Sequence, residues 1–412
     1  MTSQLLILGN GFDLHCGLQS SYKSFFRQEI LDTTTVNFGV IQLKAGVTGF
    51  WEKLLLEYYK IDKKTDYKWC DIEAIIKDTL WLIYFGEDYN SVDINRGMWK
   101  NALLYTEFGY VDPEAQYINE HPYKFIWAYC VDFIDSLTTQ EQNYSEQEKL
   151  HSFTKYLLKE LHNFERRFCK YIKKNVVNPD NEKELNIKYI VNAVNLLAKL
   201  TGCSQKHYNG IDDFVIQEFS RDYMGRSVKV MTSEFSRLNS TSILSFNYTT
   251  IFDLLDVKSP CSYSNVHGKL CKNLCAENCK SSNIIFGIDD NIIQAQGEYN
   301  DLRLFSKTYR KMFAMNTPEN VLPRNDKPVD IKFYGHSLSE ADYSYFQSIF
   351  DYYNLYSNND VSLIFYYSEK YDPTDAVYRL INEYGKTLTN KDQGKNLMHK
   401  LLLENRIKIV KI

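Results

Sequence analysis

The sequence predicts an α/β fold in which a parallel sheet forms the core and a long helical segment is inserted into it. The chain starts with a lone strand of buried type, LLILG (5–9). The hydrophobic period is then helical from about residue 21 to 235, and strand-like runs alternate with helical patterns from about 236 onwards. Because a lone strand needs partners, we expect residues 1–20 and 236–412 to form the core and residues 21–235 to form a mostly helical insertion.

Six short runs near the C-terminus have the character of β-strands. They are rich in apolar, β-branched or aromatic residues, and turn residues bound them. They are SILSFNY (242–248), SNVHG (264–268), NIIFGI (283–288), VDIKFYG (329–335), VSLIFYY (361–367) and RIKIVKI (406–412). Strands that alternate with helices favour a mostly parallel, doubly wound sheet with helices on both faces.

Helix signals lie between these strands and inside the insertion. Ser339 precedes an amphipathic pattern with Asp342 three residues on, which is a start similar to a capping box. Pro373 stands at the first position of another helical pattern, and Gly385 is placed to end it. In the insertion, apolar residues recur at spacings of three and four over residues 150–176, which predicts one long helix.

Composition and charge exclude several classes of protein. Lys+Arg 48 and Asp+Glu 52 give a net charge of −4, too near neutral to predict a polyanionic or membrane-surface partner. No run approaches the ~18 apolar residues of a spanning helix, and the N-terminus lacks a basic leader. Nine cysteines, an odd number, fit free thiols in a reducing compartment. We therefore expect a soluble cytoplasmic protein that binds neither membranes nor nucleic acid.

Two glycines end the first strand at Gly9-Asn10-Gly11. Such a turn lets the backbone approach a phosphate closely, while the N-terminus of the next helix favours negative charge. The alternative is a tight strand-to-helix turn with Asp13 as the helix cap. Because a carboxylate there competes with a phosphate for the same donors, we expect Asp13 to face a ribose hydroxyl or to act as the cap.

Polar residues also follow three of the later strands. They are Asn247, His267-Gly268 and Gly335-His336-Ser337. In a parallel sheet, side chains at the carboxyl edge line the ligand crevice, and histidine is the usual general base near neutral pH. The alternatives are an asparagine that serves a turn and a histidine that is buried for structural reasons. Several such strand ends on one edge favour a site.

The motifs taken together resemble the bacteriophage abortive-infection AbiH family over essentially the whole chain. They are LGNGFDLHCGLQSSYKSFF near the N-terminus, WCDIE (69–73), SFNYT, VHG, FGID (286–289) and YGHSLSEAD (334–342). More remotely, the set resembles the sirtuin nucleotide-binding fold. The opening glycines with Gly17 are similar to the sirtuin Gly-Ala-Gly loop, and residues 335–337 are similar to its Gly-Thr-Ser. Asn247 and His267 are similar to its asparagine and its catalytic histidine.

This resemblance implies a Rossmann-like (sirtuin-like) core and a role in antiphage defence. It implies binding of NAD or a related nucleotide and hydrolysis of its N-glycosidic bond. The residues implied in catalysis are His267, Asn247 and Asp13; those implied in nucleotide binding are Gly9, Asn10, Gly11, Phe12, Gly17, Phe246, Gly268, Gly335, His336 and Ser337. The alternative is a nucleotide-sensing or partner-binding module without catalysis. A phage-derived trigger and a homo-oligomer are the other expected partners.

The chain departs from the sirtuin pattern at three positions. Phe246 and Thr249 stand where sirtuins have glutamine and aspartate, so two groups that position the nicotinamide ribose are missing. Asp13 stands where sirtuins have serine, and it is a candidate for the missing carboxylate. These departures argue against deacylase activity and are compatible with NAD hydrolysis.

Three cysteines after His267 raise the question of a metal. Cys271, Cys275 and Cys279 are spaced by four residues, and residues eight apart on one helix lie ~12 Å apart along its axis. That distance is too long for one zinc ion with Zn–S bonds of ~2.3 Å. Only a looped segment, with Cys261 as a fourth ligand, would bring all three to one ion. We expect free thiols and no metal.

Overall fold

The computed structural model describes two compact units. It describes residues 2–36, 40–62, 72–86, 97–110, 122–138, 144–178, 181–202, 240–254, 259, 261–270, 284–289, 301–314, 320–369 and 372–412. The first of the two units, which we call the sheet unit, consists of Met1–Ser21, Ile172–Ile284 and Ala314–Ile412. The second, the helical unit, is drawn from Tyr22–Tyr171 and Ile285–Phe313.

Eight strands are formed by the described residues. They are β1 (Ser3–Leu8), β2 (Val177–Asn178), β3 (Asn181–Leu185), β4 (Thr241–Ser245), β5 (Ser262–Asn265), β6 (Val329–Tyr334), β7 (Val361–Tyr367) and β8 (Ile407–Lys411). Six of them form a sheet in the order β5-β4-β1-β6-β7-β8, and every neighbouring pair is parallel. Counted along the chain, this is the order 3-2-1-4-5-6 of the Rossmann fold. The predicted α/β class with a parallel, Rossmann-like core is confirmed.

The helices have the following bounds. They are α1 (Gly11–His15), α2 (Tyr22–Phe25), α3 (Thr33–Val36), α4 (Phe50–Asp62), α5 (Ile72–Phe85), α6 (Met98–Phe108), α7 (Tyr123–Thr138), α8 (Glu146–Val176), α9 (Ile187–Thr201), α10 (Ile251–Leu254), α11 (Lys307–Ala314), α12 (Tyr343–Tyr352), α13 (Thr374–Thr387) and α14 (Lys391–Leu403). A π-helical turn (Phe26–Ile30) and two 3₁₀ turns (Leu302–Phe305 and Glu340–Asp342) complete the described helical structure. Among the described helices, none combines the length and the apolar character that a membrane crossing requires.

Strand β1 lies in the middle of the sheet because it is apolar on both faces. Ile7 pairs with Leu244 on β4 on one side and with Phe333 on β6 on the other. Leu5, Ile7 and both partners belong to one buried core with helices α12, α13 and α14. The expected pairing of the first strand with strands far downstream is confirmed. Because neighbouring strands are parallel, the loops after β1, β4, β5 and β6 share one edge of the sheet.

Helix α8 organises the helical unit, as the spacing of its apolar residues predicts. Phe153, Leu157, Leu161, Phe164 and Phe168 form a continuous buried stripe. On the same helix, the Glu165 carboxylate accepts two 2.7 Å hydrogen bonds from the guanidinium of Arg310. Burying such a stripe contributes about 1.5–3 kcal/mol per large side chain.

One predicted strand is wrong. The described part of NIIFGI, residues 284–288, belongs to no strand of the sheet, and Ile288 forms only an isolated parallel bridge with Ser306. Residues 285–288 lie in the helical unit, where the backbone N–H of Phe286 donates to Glu165 at 2.8 Å. This apolar run can form a buried loop because the Glu165 side chain accepts a hydrogen bond from its backbone, as a neighbouring strand would.

The boundary of the sheet unit differs from the predicted one. Helix α9 lies within the predicted insertion, yet it belongs to the sheet unit together with β1. The carbonyl of Leu200 accepts a 2.9 Å hydrogen bond from Lys332 on β6, and the carbonyl of Thr201 accepts one from Gln4 on β1 at 3.3 Å. These bonds explain the difference, because they satisfy the C-terminal carbonyls of α9 on the sheet.

The end predicted for α13 is also wrong. The helix continues through Gly385 to Thr387, and its first residue is Thr374, one position after Pro373. A Cβ on Gly385 would lie 2.5 Å from the carbonyl oxygen of Gly394 on α14. The glycine therefore permits close packing of two helices, which a local sequence pattern does not distinguish from a helix end.

Candidate functional site

The strand ends of the sheet unit gather the residues singled out in the sequence at one edge. Gly9 follows β1, Phe246 follows β4 and Gly335 follows β6, while His267 lies two residues beyond β5. The N–H of Phe246 donates to the carbonyl of Leu8 at 2.7 Å, so the β1 and β4 ends are in direct contact. The carboxyl edge of a Rossmann sheet is where ligands bind in this fold.

Two buried histidines face one buried carboxylate at this edge. Nε2 of His267 lies 3.2 Å from Oδ1 of Asp342, and Nε2 of His336 lies 3.4 Å from Oδ2 of the same residue. The three side chains are 5%, 4% and 8% exposed. We call these three residues the histidine–aspartate cluster. Burying such groups costs free energy unless they are paired, and clusters of this kind concentrate at functional sites.

The ring of Phe246 packs between the two histidines. Its centroid lies 4.4 Å from that of His336 and 5.4 Å from that of His267, in edge-to-face arrangements. The ring of Tyr248 approaches His267 as well, at 6.4 Å. Phe246 was expected to bind the nucleotide; the structure buries it as the apolar wall of the cluster.

Asn247 lies between Phe246 and Tyr248 in the sequence and is itself buried. Its backbone carbonyl accepts a 2.8 Å hydrogen bond from the side chain of Asn265, the last residue of β5. Its side-chain Oδ1 is buried and has no hydrogen-bond partner among the described residues. A buried acceptor in this condition is rare in folded proteins.

Asp13 is held by neighbours within the sheet unit. Its Oδ1 accepts a 2.8 Å hydrogen bond from the hydroxyl of Tyr189 on α9, and its Oδ2 accepts a 2.6 Å bond from Thr249. Burial raises the pKa of Asp13 to about 6, although both hydrogen bonds oppose that shift. Both of its oxygens are thus engaged by the protein, and no side-chain cap is formed at the start of α1.

The glycines after β1 and β6 permit contact between two loops. A Cβ on Gly9 would lie 2.4 Å from Cα of His336, and one on Gly11 would lie 2.6 Å from Cα of Gly335. The N–H of Gly11 donates to the carbonyl of Gly335 at 2.8 Å, and that of Phe12 donates to Gly9 at 2.9 Å. These glycines therefore permit close packing of the β1 loop on the β6 loop.

The remaining residues expected to bind nucleotide occupy varied surroundings. Phe12 is buried, whereas Gly17, with φ +95°, and Ser337 are exposed. Asn10 accepts a hydrogen bond from the hydroxyl of Ser20, so its amide closes the β1 loop on itself. Gly268, with φ +77°, ends the turn that carries His267.

A cavity of about 230 Å³ opens beside this cluster. Its lining includes Gly11, Tyr334, Gly335, His336, Ser337, Tyr366, Tyr367 and Ser368. The described residues that line it include neither His267 nor Asn247. His336 is thus the residue that belongs both to the cavity wall and to the histidine–aspartate cluster.

Comparison with known proteins identifies the family. A family model described as bacteriophage abortive infection AbiH matches residues 5–367. The chain belongs to the AbiH family. A search of curated proteins and a search of solved structures each found no match.

The AbiH match covers every motif that carried the resemblance, but the structure does not describe all of their residues. Within WCDIE, Trp69 and Asp71 lie outside the described residues, as do Cys271, Cys275 and Cys279. Glu73 is described, and its carboxylate pairs with the buried Lys307 at 2.7 Å within the helical unit. Among the described residues, no group of three or more His, Cys, Asp or Glu side chains is arranged to hold a metal ion.

Two AbiH residues of this region were not predicted as site residues. Asp342 was interpreted as part of a capping-box-like start; instead, no side-chain cap is formed there, and its carboxylate faces the two histidines. Its position in the motif YGHSLSEAD, six residues after His336, was the signal that links them. Tyr189 carries no signal of this kind, because its partner Asp13 lies 176 positions away.

Proposed function

We propose that this AbiH-family chain acts in the cytoplasm during abortive infection by binding NAD or a related nucleotide at the carboxyl edge of the sheet. There it hydrolyses the N-glycosidic bond to nicotinamide. His267 is the general base, and Asn247 holds a ribose hydroxyl or the attacking water. A phage-derived trigger activates the reaction.

The geometry around His267 carries this proposal. Phe246 and Tyr248 both pack near the His267 ring, and Asn247 lies between them in the chain. The Asn265 side chain donates to the backbone carbonyl of Asn247 and lies two residues before His267, so the segments that carry Asn247 and His267 are joined by a hydrogen bond. A base on one segment and an unsatisfied acceptor on the segment bonded to it fit a reaction in which water attacks the anomeric carbon of a ribose whose neighbouring carbon bears a hydroxyl.

The chemistry needs few groups. The bond between the ribose anomeric carbon and nicotinamide breaks, and its electron pair leaves with nicotinamide as a neutral molecule. Oxygen of the attacking water forms the new bond to that carbon, and His267 takes the water's proton, a role that contributes about 10²- to 10⁴-fold. The carboxylate of Asp342 stabilises the imidazolium that results. The products are nicotinamide and ADP-ribose.

The fit to a whole dinucleotide is partial. The glycines of the β1 loop contact other backbone, and the cavity of about 230 Å³ is below the range of about 300–1,000 Å³ that is typical of small-molecule sites. The unsatisfied Oδ1 of Asn247 supports a hydroxyl-bearing ligand. The ribose is therefore the part of the substrate for which this chain offers the clearest partner.

The test measures nicotinamide and ADP-ribose after incubation of the purified protein with NAD, with and without phage lysate. We expect release that falls at least about 100-fold in His267→Gln and in Asn247→Ala. The matched control is His399→Gln, which removes an exposed histidine on α14. Circular dichroism establishes that each variant is folded. Equal turnover in His267→Gln and native protein would contradict the proposal.

A second candidate function is a nucleotide sensor that binds without cleavage. The separation between the cavity lining and the pair His267 and Asn247 favours it, because a ligand in the cavity contacts His336 first. Calorimetric titration with NAD, ADP-ribose and ATP separates the two functions. Saturable binding with no product under any trigger supports the sensor; absence of both binding and turnover overturns both functions.

A further inference from the structure

We infer that Asp342 is a positioning residue that sets the proton position on His267, and that it does so while shared with a second histidine, His336. The inference rests on the proposed function in one respect only: the consequence for rate assumes that His267 is the base. The position of the proton itself follows from contacts in the sheet unit.

The first step concerns His336. Its Nδ1 accepts a 2.8 Å hydrogen bond from the backbone N–H of Leu338. A ring nitrogen that accepts carries no proton, so the ring's N–H is on Nε2, the atom that faces Oδ2 of Asp342. His336 is thus fixed as a donor toward the carboxylate.

The loop that holds His336 is conformationally constrained. Gly335 has φ +67° and Leu338 has φ +54°, which is uncommon for a residue with a side chain. A non-glycine residue held there costs free energy, and such strain concentrates at functional sites. Here the unusual backbone coincides with the Leu338 N–H that bonds the imidazole. The strained backbone at Leu338 therefore places the N–H that keeps the His336 proton on Nε2.

The second step concerns His267. Its Nε2 faces the other oxygen of Asp342 at 3.2 Å, and a carboxylate offers acceptors only. The proton of the neutral His267 ring is therefore stabilised on Nε2, which leaves the lone pair on Nδ1. One carboxylate thus faces the Nε2 atoms of both rings, one oxygen for each.

An amide cannot replace this carboxylate. In Asp342→Asn the side chain keeps one acceptor oxygen and gains an NH₂ donor. His336 remains a donor, because Leu338 occupies its Nδ1, and it takes the oxygen. The NH₂ group then faces His267, whose ring moves its proton to Nδ1 and loses the lone pair needed for catalysis. The substitution thus changes the tautomer of a residue that it does not remove.

A double variant isolates the role of the second histidine. In Asp342→Asn/His336→Phe, no imidazole competes for the amide oxygen, and the phenyl ring is compatible with the aromatic packing around Phe246 and Phe346. The amide is then free to turn its oxygen toward His267. We expect the His267 proton to return to Nε2.

The experiment records long-range proton–nitrogen spectra of protein labelled with ¹⁵N-histidine, in which the two tautomers differ. Signals are assigned with His267→Gln and His336→Phe. We expect Nε2–H for both rings in the native protein, Nδ1–H for His267 in Asp342→Asn, and Nε2–H again in the double variant. The control Asp375→Asn removes an exposed carboxylate on α13. We expect a loss of turnover of at least about 100-fold in Asp342→Asn and partial recovery in the double variant.

The outcomes separate the two proposals. An Nδ1–H His267 in the native protein overturns this inference without any variant, and so does a His267 that keeps Nε2–H in Asp342→Asn. Failure of the double variant to restore the tautomer overturns the role of His336. Native protein that shows the expected tautomers but does not hydrolyse NAD overturns the proposed function and leaves this inference standing.

Discussion

The hydroxyl of Tyr189 donates a 2.8 Å hydrogen bond to Oδ1 of Asp13, which joins helix α9 to the loop after β1. Thr249, after β4, bonds the other oxygen, so three segments that are far apart in sequence meet at one buried carboxyl group. Asp13 is therefore explained as an organising residue of the sheet unit, while Asp342 is the carboxylate that faces His267.

The first prediction concerns pH. Burial raises the pKa of Asp13 to about 6, above its unfolded value of 3.8, so the folded state binds more protons between these values. The free energy of unfolding contributed by this group therefore falls as pH rises through that window. We expect native protein to lose about 2 kcal/mol relative to Asp13→Asn between about pH 4.5 and about pH 7.5.

Urea unfolding of both proteins across that pH range measures the effect. Asp375→Asn, which removes an exposed carboxylate, is the matched control. A difference between native protein and Asp13→Asn that stays constant with pH, or that changes with the opposite sign, contradicts the prediction.

The second prediction separates backbone strain from steric clash at three glycines. In Gly17→Ala the backbone has a positive φ but no atom lies within 4 Å of the new Cβ. In Gly9→Ala the φ is not positive, but the new Cβ lies 2.4 Å from the Cα of His336. Gly335→Ala meets both problems, since its Cβ would lie 2.4 Å from the N of Phe12. We expect Gly17→Ala to cost about 1–2 kcal/mol and Gly335→Ala to cost the most. Urea unfolding ranks them, and a Gly17→Ala loss as large as that of Gly335→Ala argues against contact between the loops.

The sequence predicted the sheet well because its strands carry strong local signals. LLILG is apolar at every position before its glycine, and VSLIFYY coincides with β7 at both ends. NIIFGI has the same apolar character but finds its partners in Glu165 and Ser306. Periodicity does not report which side chain will satisfy a backbone group elsewhere in the chain.

The candidate site was predictable only in part, for a similar reason. Asn247, His267 and His336 were found because polar residues directly follow apolar strands, and a parallel sheet brings such positions to one edge. Asp342 looked like a local helix signal, and its contacts with the two histidines depend on the path of the intervening chain. The sequence around Asp342 is compatible with a helix cap and with a contact to the histidines, and in the folded chain the contact with the histidines is the one that forms.

The third prediction concerns the buried ion pair of the helical unit. Arg310→Met leaves the Glu165 carboxylate buried with only the Phe286 N–H as a described hydrogen-bond donor. We expect a loss of about 3–5 kcal/mol in the free energy of unfolding. The surface pair of Lys386 and Glu383 is the control, and Lys386→Met is expected to cost under about 0.5 kcal/mol. An Arg310→Met loss no larger than that of the control contradicts the prediction.

The last prediction tests whether the cavity binds the nucleotide. Ser368→Phe places a phenyl ring in a space of about 230 Å³, at a residue outside the histidine–aspartate cluster. If part of the nucleotide occupies the cavity, affinity for NAD falls at least about tenfold, equivalent to about 1.4 kcal/mol of binding free energy. The control, Ser348→Phe, adds the same ring to an exposed position on α12. Calorimetric titration measures both, and unchanged affinity in Ser368→Phe places the nucleotide elsewhere, because a filled cavity cannot also hold a ligand.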